Sequence, residues 1–562
     1  MGRGRRQAPV SQAAPSRIAH LPWVPFAILA LLWVVVALLV IPTWGWVYWD
    51  FGDGNYMYIA RRVREGLVLY RDILAPQPPL HTFAGVVAQW LGNAILGDEL
   101  TGVRLYCLLT RYAASLAVML LAWRYFECAL RGVVAAGIYL FLPIGFWWSL
   151  GYQSENLENV FLVAALFLLI TWSPRQVAIA GVLGALAAHC NMTGLPYIIV
   201  NALFLAFRKP RLFAWYAIPA AVVYFAIALG ANVYTEGYFF DNAFLNQTGT
   251  FPRTDILSSN PGTPDTFLQY AWGKITSQAW EVVVLEWGFL LAALAGAALR
   301  VAAAVPTPAT GEPAARDRWL RTEFLAWTLL GMLLSICFTA KGGTVNYIFV
   351  LGEPGVALFA AEGFVLLWRR TFPRRADWSG AGLLNTRPIL MAMLPIAATL
   401  LALWPAIHNI RLSLNQTQVE LPEAGALRLR AFIETYAAPG DTILAPPFYA
   451  YLTRTIVAGE LAENYIWQIK YMNETFDADN YGKPTGEAVA KFDEIAAMLR
   501  RQEVKVVLLD LNQTGNVPAI RDAIAEFYQP AEPTPFPTRN TRLGLYIPKG
   551  VELHHYPLGA SK

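Results

Sequence analysis

Long apolar runs separated by short polar segments dominate the chain between about residues 24 and 406. Most runs measure about 17–23 residues, close to the ~20 that a helix needs to cross a bilayer. The pattern predicts a mainly α-helical, polytopic membrane bundle with about eleven spans, at residues 24–41, 105–123, 132–150, 159–172, 176–188, 195–207, 212–231, 282–299, 323–339, 346–368 and 389–406. The fifth and sixth runs are short, which leaves open a re-entrant pair in their place.

Basic residues occupy every second segment between these runs. The clusters include Arg3, Arg5, Arg6, Arg124, Arg131, Arg175, Arg208, Lys209, Arg211, Arg300, Arg321, Arg369 and Arg370. Cytoplasmic loops carry such an excess of lysine and arginine. We therefore expect a multi-pass protein of the inner or plasma membrane with a cytoplasmic tail at 1–23. The loop at 44–104 and the C-terminal region are then extracytoplasmic.

Composition changes after residue 410. The chain as a whole is 56% hydrophobic and 15% charged, whereas soluble domains carry about 25% charged residues. The C-terminal part instead alternates helical patterns, at 424–436 and 486–501, with short apolar runs at 442–445, 504–509 and 544–547. We predict a membrane domain at 24–410 and a small extracytoplasmic α/β domain at 411–562.

The first outer loop begins with an acidic, glycine-rich segment, Asp50-Phe51-Gly52-Asp53-Gly54. Apolar residues then recur at helical spacing, at Tyr56, Ile59, Ala60 and Val63. This periodicity predicts an amphipathic helix over 54–65, with Asp53 as its N-cap and Arg61 on its polar face. We expect the helix to lie flat in the headgroup region.

Several short motifs around this loop resemble the GT-C glycosyltransferases, most closely the protein O-mannosyltransferase and lipid A aminoarabinose transferase group. They are an acid after the first span, a helix ending at Gly66, Tyr70-Arg71-Asp72, the Pro78-Pro79 turn, Arg104 before the second span, Glu155 in the next outer loop, and Asn346-Tyr347 followed by Pro354. Two features depart from the family pattern. Asp50 and Asp53 compete for the place of the catalytic acid, and Gln77 stands where a basic residue often precedes the Pro-Pro turn.

The resemblance implies an enzyme that moves a sugar from a polyprenyl-phosphate carrier to the hydroxyl of a glycan, lipid or protein acceptor. Such chemistry needs a base for the acceptor and cations for the leaving phosphate. Asp53 is the expected base, with Asp50 as the alternative and Glu155 as a second acid. The expected substrate- and phosphate-binding residues are Arg104, Lys341, Tyr347, Arg71, Asp72, Glu158 and Glu353.

Each assignment has a structural alternative. Asp53 suits a plain helix cap, Glu155 and Glu158 suit a helix N-terminus, and Arg104 and Lys341 suit snorkelling to the interface. Arg71 and Asp72 are expected to pair with each other. The structural alternative for Glu353 is a pair with a buried arginine such as Arg111. Pro354, which follows Glu353, is expected to kink the tenth span.

Two other classes of function stay open, a transporter and a non-catalytic scaffold of cell-envelope assembly. A transporter usually shows repeats and charges at mid-membrane. We find no repeat, and Glu353 is the one clear acid expected inside a span. We predict membrane lipids as partners and no nucleic acid, metal or other cofactor.

Overall fold

The computed structural model describes residues 23–553 except 76, 246–266, 305–312, 337–345, 372–402, 416–418, 464–465, 469, 473, 476–485, 511–514, 516, 533 and 540–541. Its main helices in the membrane domain are α1 (Val24–Val40), α2 (Phe51–Arg64), α3 (Pro79–Leu91), α4 (Glu99–Phe126), α5 (Ala129–Phe141), α6 (Pro143–Trp148), α7 (Ser154–Leu169), α8 (Pro174–Cys190), α9 (Leu195–Arg208), α10 (Pro210–Tyr234), α11 (Phe267–Ala304), α12 (Pro313–Ile336) and α13 (Glu353–Thr371). The predicted N-terminal tail and most of the predicted span at 389–406 lie outside the described residues.

The membrane domain is a bundle of apolar helices. In the described residues, five segments are long and apolar enough to cross a membrane, namely Val24–Thr43, Glu99–Phe126, Pro210–Tyr234, Ala271–Ala302 and Phe349–Trp368. Helices α11 and α13 pack closely because small residues lie where their backbones meet. A Cβ added to Gly296 would lie 2.0 Å from the Phe359 carbonyl oxygen, and one added to Gly363 would lie 2.2 Å from that of Ala292. Such close approach is typical of helix pairs in membranes.

Two predictions about the spans were wrong, and proline explains both. The predicted span at 132–150 is two helices, α5 and α6, because Pro143 cannot donate the next helical hydrogen bond. Pro354 does not kink a span. It lies in the first turn of α13, which follows a 3-10 segment at Asn346–Gly352, and proline is well tolerated in a first turn.

Basic loop residues gather at one end of the bundle. Arg300 donates to the Tyr125 carbonyl oxygen at 3.5 Å, near the last turn of α4. The first turn of α4, at Glu99, instead contacts Arg64 of the first outer loop. The 28 residues of α4 correspond to about 42 Å at 1.5 Å per residue. The bundle therefore separates the basic loops from the first outer loop, and the side of the membrane that each faces stays a prediction.

The C-terminal region forms the small α/β domain expected from the sequence. Its helices are α14 (Glu423–Tyr436), α15 (Pro447–Thr453), α16 (Glu487–Arg500) and α17 (Pro518–Phe527), and its strands are β1 (Thr442–Leu444), β2 (Ile456–Val457), β3 (Val506–Asp510), β4 (Tyr528–Pro530), β5 (Phe536–Pro537) and β6 (Arg542–Pro548). The sheet order is β2-β1-β3-β6-β4, with β5 also on β6. Strands β2, β1 and β3 are parallel, and β6 runs antiparallel to β3.

This domain covers helix α2, so α2 does not lie free on the bilayer surface as predicted. Arg61, expected on a solvated face, is buried and donates to the carbonyl oxygens of Ala450 (3.1 Å), Tyr451 (3.0 Å) and Thr455 (2.8 Å). Two of these carbonyls, those of Ala450 and Tyr451, belong to the last turn of α15. The Tyr58 hydroxyl adds a bond to Glu460 at 2.8 Å. The C-terminal domain is thus held directly on the first outer loop.

Candidate active site

The N-cap of helix α2 is Asp50, not Asp53 as the sequence predicted. Asp50 has extended backbone angles and its carboxylate accepts the Asp53 N–H at 2.8 Å, so Asp50 is the N-cap. The glycines on either side of Asp53 let other segments approach. A Cβ on Gly54 would lie 2.7 Å from that of Phe448 in the C-terminal domain, and one on Gly52 would lie 3.2 Å from the Gln153 amide. The acidic, glycine-rich motif therefore forms a crowded helix start.

Asp53 is fully buried in an ion pair. Arg104 donates to its two carboxylate oxygens at 2.8 and 2.9 Å, and the Tyr152 N–H donates to one of them at 2.6 Å. Arg104 is 1% exposed and also donates to the Leu150 carbonyl at 3.2 Å. A bidentate pair of this kind fixes orientation as well as charge. Asp53 and Arg104 therefore join α2, α4 and the loop after α6, and each already has its charge partner.

Asp50 is the more accessible of the two aspartates. Its side chain is half-buried, and the Gln153 amide donates to both carboxylate oxygens, at 2.9 and 3.0 Å. Burial, together with the nearby charges of Asp53 and Glu155, raises the pKa of Asp50 to about 7, although the hydrogen bonds from the Asp53 N–H and the Gln153 amide lower it. A carboxylate with a pKa close to neutrality is well matched to general-base catalysis.

Glu155 and Glu158 lie in the first turns of α7 and are both buried. The Asn191 amide donates to Glu155 at 2.5 Å, and the Ser154 hydroxyl donates to it at 3.2 Å. Thr193 donates to the two oxygens of Glu158 at 2.9 and 3.0 Å. Both acids therefore face the segment between α8 and α9, and Glu155 is close enough to Asp50 to affect its pKa.

The expected phosphate-binding residues do not form one cluster in the described structure. Arg104 is paired with Asp53. Arg71 pairs with Asp72 at 2.9 Å, as predicted, and also with Glu236 at 2.8 Å. Lys341 lies outside the described residues, as does the side chain of Tyr347. The structure therefore brings Asp50, Asp53, Arg104 and Glu155 together and leaves Arg71 and Asp72 at a separate, exposed turn.

Glu353 pairs with Arg111 inside the bundle, as the sequence suggested. Arg111 donates to it at 3.1 Å, and the Gly145 N–H also donates to its carboxylate. The expectation that Glu353 is the one acid within a span was wrong. Glu286 of α11 is 2% exposed and accepts the Ile144 N–H at 3.3 Å, and Glu362 is buried in α13. Glu353 and Glu286 hold the start of α6 through the Gly145 and Ile144 N–H groups. Helix α6 leads into the loop that contacts Asp53.

Sequence reasoning missed Gln153 and Tyr152. Gln153 stands two residues before Glu155, and that neighbourhood was the available signal for a residue of the same site. His81 is fully buried, and its ring stacks on Tyr152 with centroids 4.2 Å apart. Burial lowers the pKa of His81 to about 3, so its ring is neutral at physiological pH. These residues support the Tyr152 backbone that contacts Asp53.

The folded chain is a multi-pass membrane protein whose acidic helix start lies under an α/β domain. No sequence-family model and no curated protein matches it. Several solved structures, however, are similar to it. The apo oligosaccharyltransferase of Archaeoglobus fulgidus matches with a TM-score of 0.54 and 13% identity, over 87% of this chain and 70% of that chain. The same archaeal enzyme, AglB, in complex with an inhibitory peptide and a dolichol-phosphate matches with a TM-score of 0.50 and 13% identity, over 91% and 73%.

ArnT from Cupriavidus metallidurans, bound to undecaprenyl phosphate, matches with a TM-score of 0.53 and 12% identity, over 93% of this chain and 97% of that chain. These proteins are GT-C glycosyltransferases. The similarity shows that this chain has the GT-C fold and confirms the predicted fold class. At this level of identity the similarity carries the fold and not the reaction.

Proposed function

We propose that the protein is a membrane glycosyltransferase that moves a sugar from a polyprenyl-phosphate carrier to an acceptor hydroxyl on the extracytoplasmic face. The observation that carries this proposal is the Asp50 carboxylate, which is half-buried at the start of α2, is held by the Gln153 amide and has its pKa raised by burial to about 7. Asp53, the first choice from the sequence, is fully buried in an ion pair with Arg104. Asp50 is therefore the better supported base.

In the proposed reaction, Asp50 takes the proton of the acceptor hydroxyl while the acceptor oxygen bonds to the anomeric carbon of the sugar. The bond between that carbon and the phosphate oxygen breaks, and the polyprenyl phosphate leaves with the electron pair. The Gln153 amide holds the Asp50 carboxylate through two hydrogen bonds. Such positioning keeps a general base within reach of the proton that it removes. Glu155 acts as the second acid beside it.

One observation supports a lipid-linked donor. Structures with the same fold were solved with undecaprenyl phosphate and with a dolichol-phosphate. We propose Lys341 as the cation for the leaving phosphate, because Arg104 is engaged by Asp53.

The proposal is tested by turnover of a defined donor. The purified protein is reconstituted in liposomes with polyprenyl-phosphate hexoses and pentoses, and release of polyprenyl phosphate is followed by mass spectrometry. We expect Asp50→Asn to reduce turnover by about 10²–10⁴-fold, the usual contribution of a general base. Asparagine also caps helices well, so the fold is kept.

A matched control is Asp441→Asn. Asp441 also accepts a local backbone N–H, that of Ala438 at 2.8 Å, and it lies in the C-terminal domain on an exposed turn. We expect wild-type turnover from this variant. Full turnover in Asp50→Asn would refute Asp50 as the base, and the absence of turnover with every donor would favour the transporter or scaffold alternatives.

A further inference from the structure

A polar cleft opens where the first outer loop meets the C-terminal domain. We call it the junction cleft, and its volume is about 250 Å³. Trp46 and the start of α4 line one side, and the ends of α14 and α15 line the other. The residues that matter for its chemistry are Trp46, Asp98, Glu99, Arg430, Glu434 and Tyr451. Ligand sites often form at such boundaries between domains.

Two aromatic rings form an apolar surface in this cleft. The ring centroids of Trp46 and Tyr451 are 6.2 Å apart, with an interplanar angle of 56°. The Arg430 guanidinium lies 5.8 Å from the Trp46 ring centroid, which orients the indole by a cation–π contact. Trp46 is half-buried, so part of its ring stays open to the cleft. An aromatic face next to polar groups is suited to ligands with both apolar C–H faces and hydroxyls.

The Tyr451 hydroxyl has no hydrogen-bond partner within the part of the chain that the structure describes. Tyr451 is 3% exposed and its oxygen is buried. A buried hydroxyl without a partner costs free energy, so a ligand that bonds to this oxygen gains that free energy on binding. Because Tyr451 lines the junction cleft, a ligand hydroxyl in the cleft is the natural partner.

The charges around the cleft disfavour an anionic ligand. Three carboxylates, of Asp98, Glu99 and Glu434, face two guanidiniums, of Arg430 and Arg454. Glu434 accepts from Arg430 at 2.7 Å, and Glu99 pairs with Arg64. With Arg64 counted, three carboxylates meet three guanidiniums and two of the pairs are already formed, so the cleft has no surplus of positive charge for a phosphate or uronate. Neutral hydroxyls can donate to these carboxylates and accept from these guanidiniums.

We infer that the junction cleft binds a neutral glycan, and this inference rests on the proposed function because the glycan would be the acceptor. The cleft lies beside the candidate base. Trp46 is four residues before Asp50 in the chain, so their Cα atoms are at most about 14 Å apart. Tyr451 also lies near Arg104, the partner of Asp53. A glycan of two or three units in the cleft can therefore present a terminal hydroxyl towards Asp50.

The test measures glycan binding directly, without donor. The full-length protein is placed in lipid nanodiscs, because glycoside detergents would compete for the site. Saturation-transfer NMR titrations use mannotriose and arabinotriose as neutral probes and trigalacturonate as the anionic comparison. We expect a neutral trisaccharide to bind, trigalacturonate not to bind, and Tyr451→Phe to weaken the neutral trisaccharide by about three- to tenfold, the loss of one hydrogen bond.

Tyr449→Phe is the matched control. The Tyr449 hydroxyl is also buried without a hydrogen-bond partner among the described residues, but Tyr449 does not line the cleft. It should leave binding unchanged, and neither variant should lower the unfolding midpoint. A second variant, Trp46→Leu, should weaken binding at least as much as Tyr451→Phe.

Equal binding by wild type and Tyr451→Phe, tighter binding of trigalacturonate, or no binding of either neutral trisaccharide would each overturn the inference. The result is separable from the donor assay. A protein that binds the trisaccharide but never releases polyprenyl phosphate refutes the transferase and keeps the glycan site. A protein that releases polyprenyl phosphate but binds no trisaccharide keeps the transferase and refutes the glycan site.

Discussion

Replacement of Asp53 separates a structural role from a catalytic one. Asp53→Asn removes the charge that neutralises Arg104, whose two nitrogens lie 2.8 and 2.9 Å from it and whose side chain is 1% exposed. Removal of one partner of a buried ion pair costs about 3–5 kcal/mol, because the other charge stays buried without compensation. We therefore expect Asp53→Asn to lose about that much stability and to lose activity as a consequence.

Asp50→Asn should behave differently. Asp50 is half-buried, its partner is the neutral Gln153 amide, and its raised pKa means that the fold disfavours its charge. A neutral isostere that also caps α2 should change stability by less than about 1 kcal/mol. Only turnover should fall.

The assay exploits buried cysteines. Cys107 and Cys190 are buried and not in disulfides, so a thiol-reactive fluorescent dye reports unfolding as the protein is heated or titrated with denaturant. Turnover is measured in parallel below the midpoint of the least stable variant. The double variant Asp53→Asn, Arg104→Met removes both charges and should recover at least half of the lost stability.

Wild-type stability in Asp53→Asn would contradict the buried ion pair. A variant at this position that keeps its stability but loses turnover would make Asp53 the base, and the assignment to Asp50 would fall. Loss of stability in Asp53→Asn, together with a stable and inactive Asp50→Asn, is the result that the geometry predicts.

Three further predictions address the pH dependence and the two contacts that hold the C-terminal domain. A base must be deprotonated, and burial raises the pKa of Asp50 to about 7. Turnover should therefore fall about tenfold per pH unit below 7 and level off above it. A rate that is independent of pH from 5 to 8 would contradict this prediction. Arg61→Met removes three bonds to carbonyl oxygens and should cost about 3 kcal/mol or more, seen as earlier proteolysis of the C-terminal domain. Gly54→Ala places a Cβ 2.7 Å from that of Phe448 and should lower the free energy of unfolding by about 1–3 kcal/mol, measured by thermal unfolding. The control is Gly230→Ala, whose added Cβ meets nothing within 4 Å and should leave stability unchanged or slightly raised.

Features that depend on near neighbours were predictable from the sequence. Apolar runs located most bundle helices, and the alternating patterns after residue 410 located the helices and longer strands of the α/β domain. The Arg71–Asp72 pair involves adjacent residues. The Glu353–Arg111 pair was foreseen because an acid inside a span needs a cation, and few buried cations were available.

Features that depend on distant partners were not predictable in this way. Asp50 and Asp53 both satisfy the rules for a helix cap, and the choice follows from Arg104 and Gln153, which lie 51 and 103 residues away along the chain. Arg61 looks like a solvated residue in any helical projection. Its carbonyl partners lie about 390 residues later in the sequence, and no local pattern reports them.

The short acidic motif is best understood as a division of roles between two aspartates. Asp53 is committed to Arg104 and fixes the first turn of α2 against α4. That arrangement keeps a negative charge beside Asp50, which raises the pKa of Asp50 together with burial. A single aspartate would serve both roles poorly, because Asp53 is fully buried against Arg104, whereas Asp50 is only half-buried and can meet an acceptor hydroxyl. The buried acid therefore makes the accessible acid a better base, and the two glycines that flank the buried one allow Gln153 and the C-terminal domain to close around both.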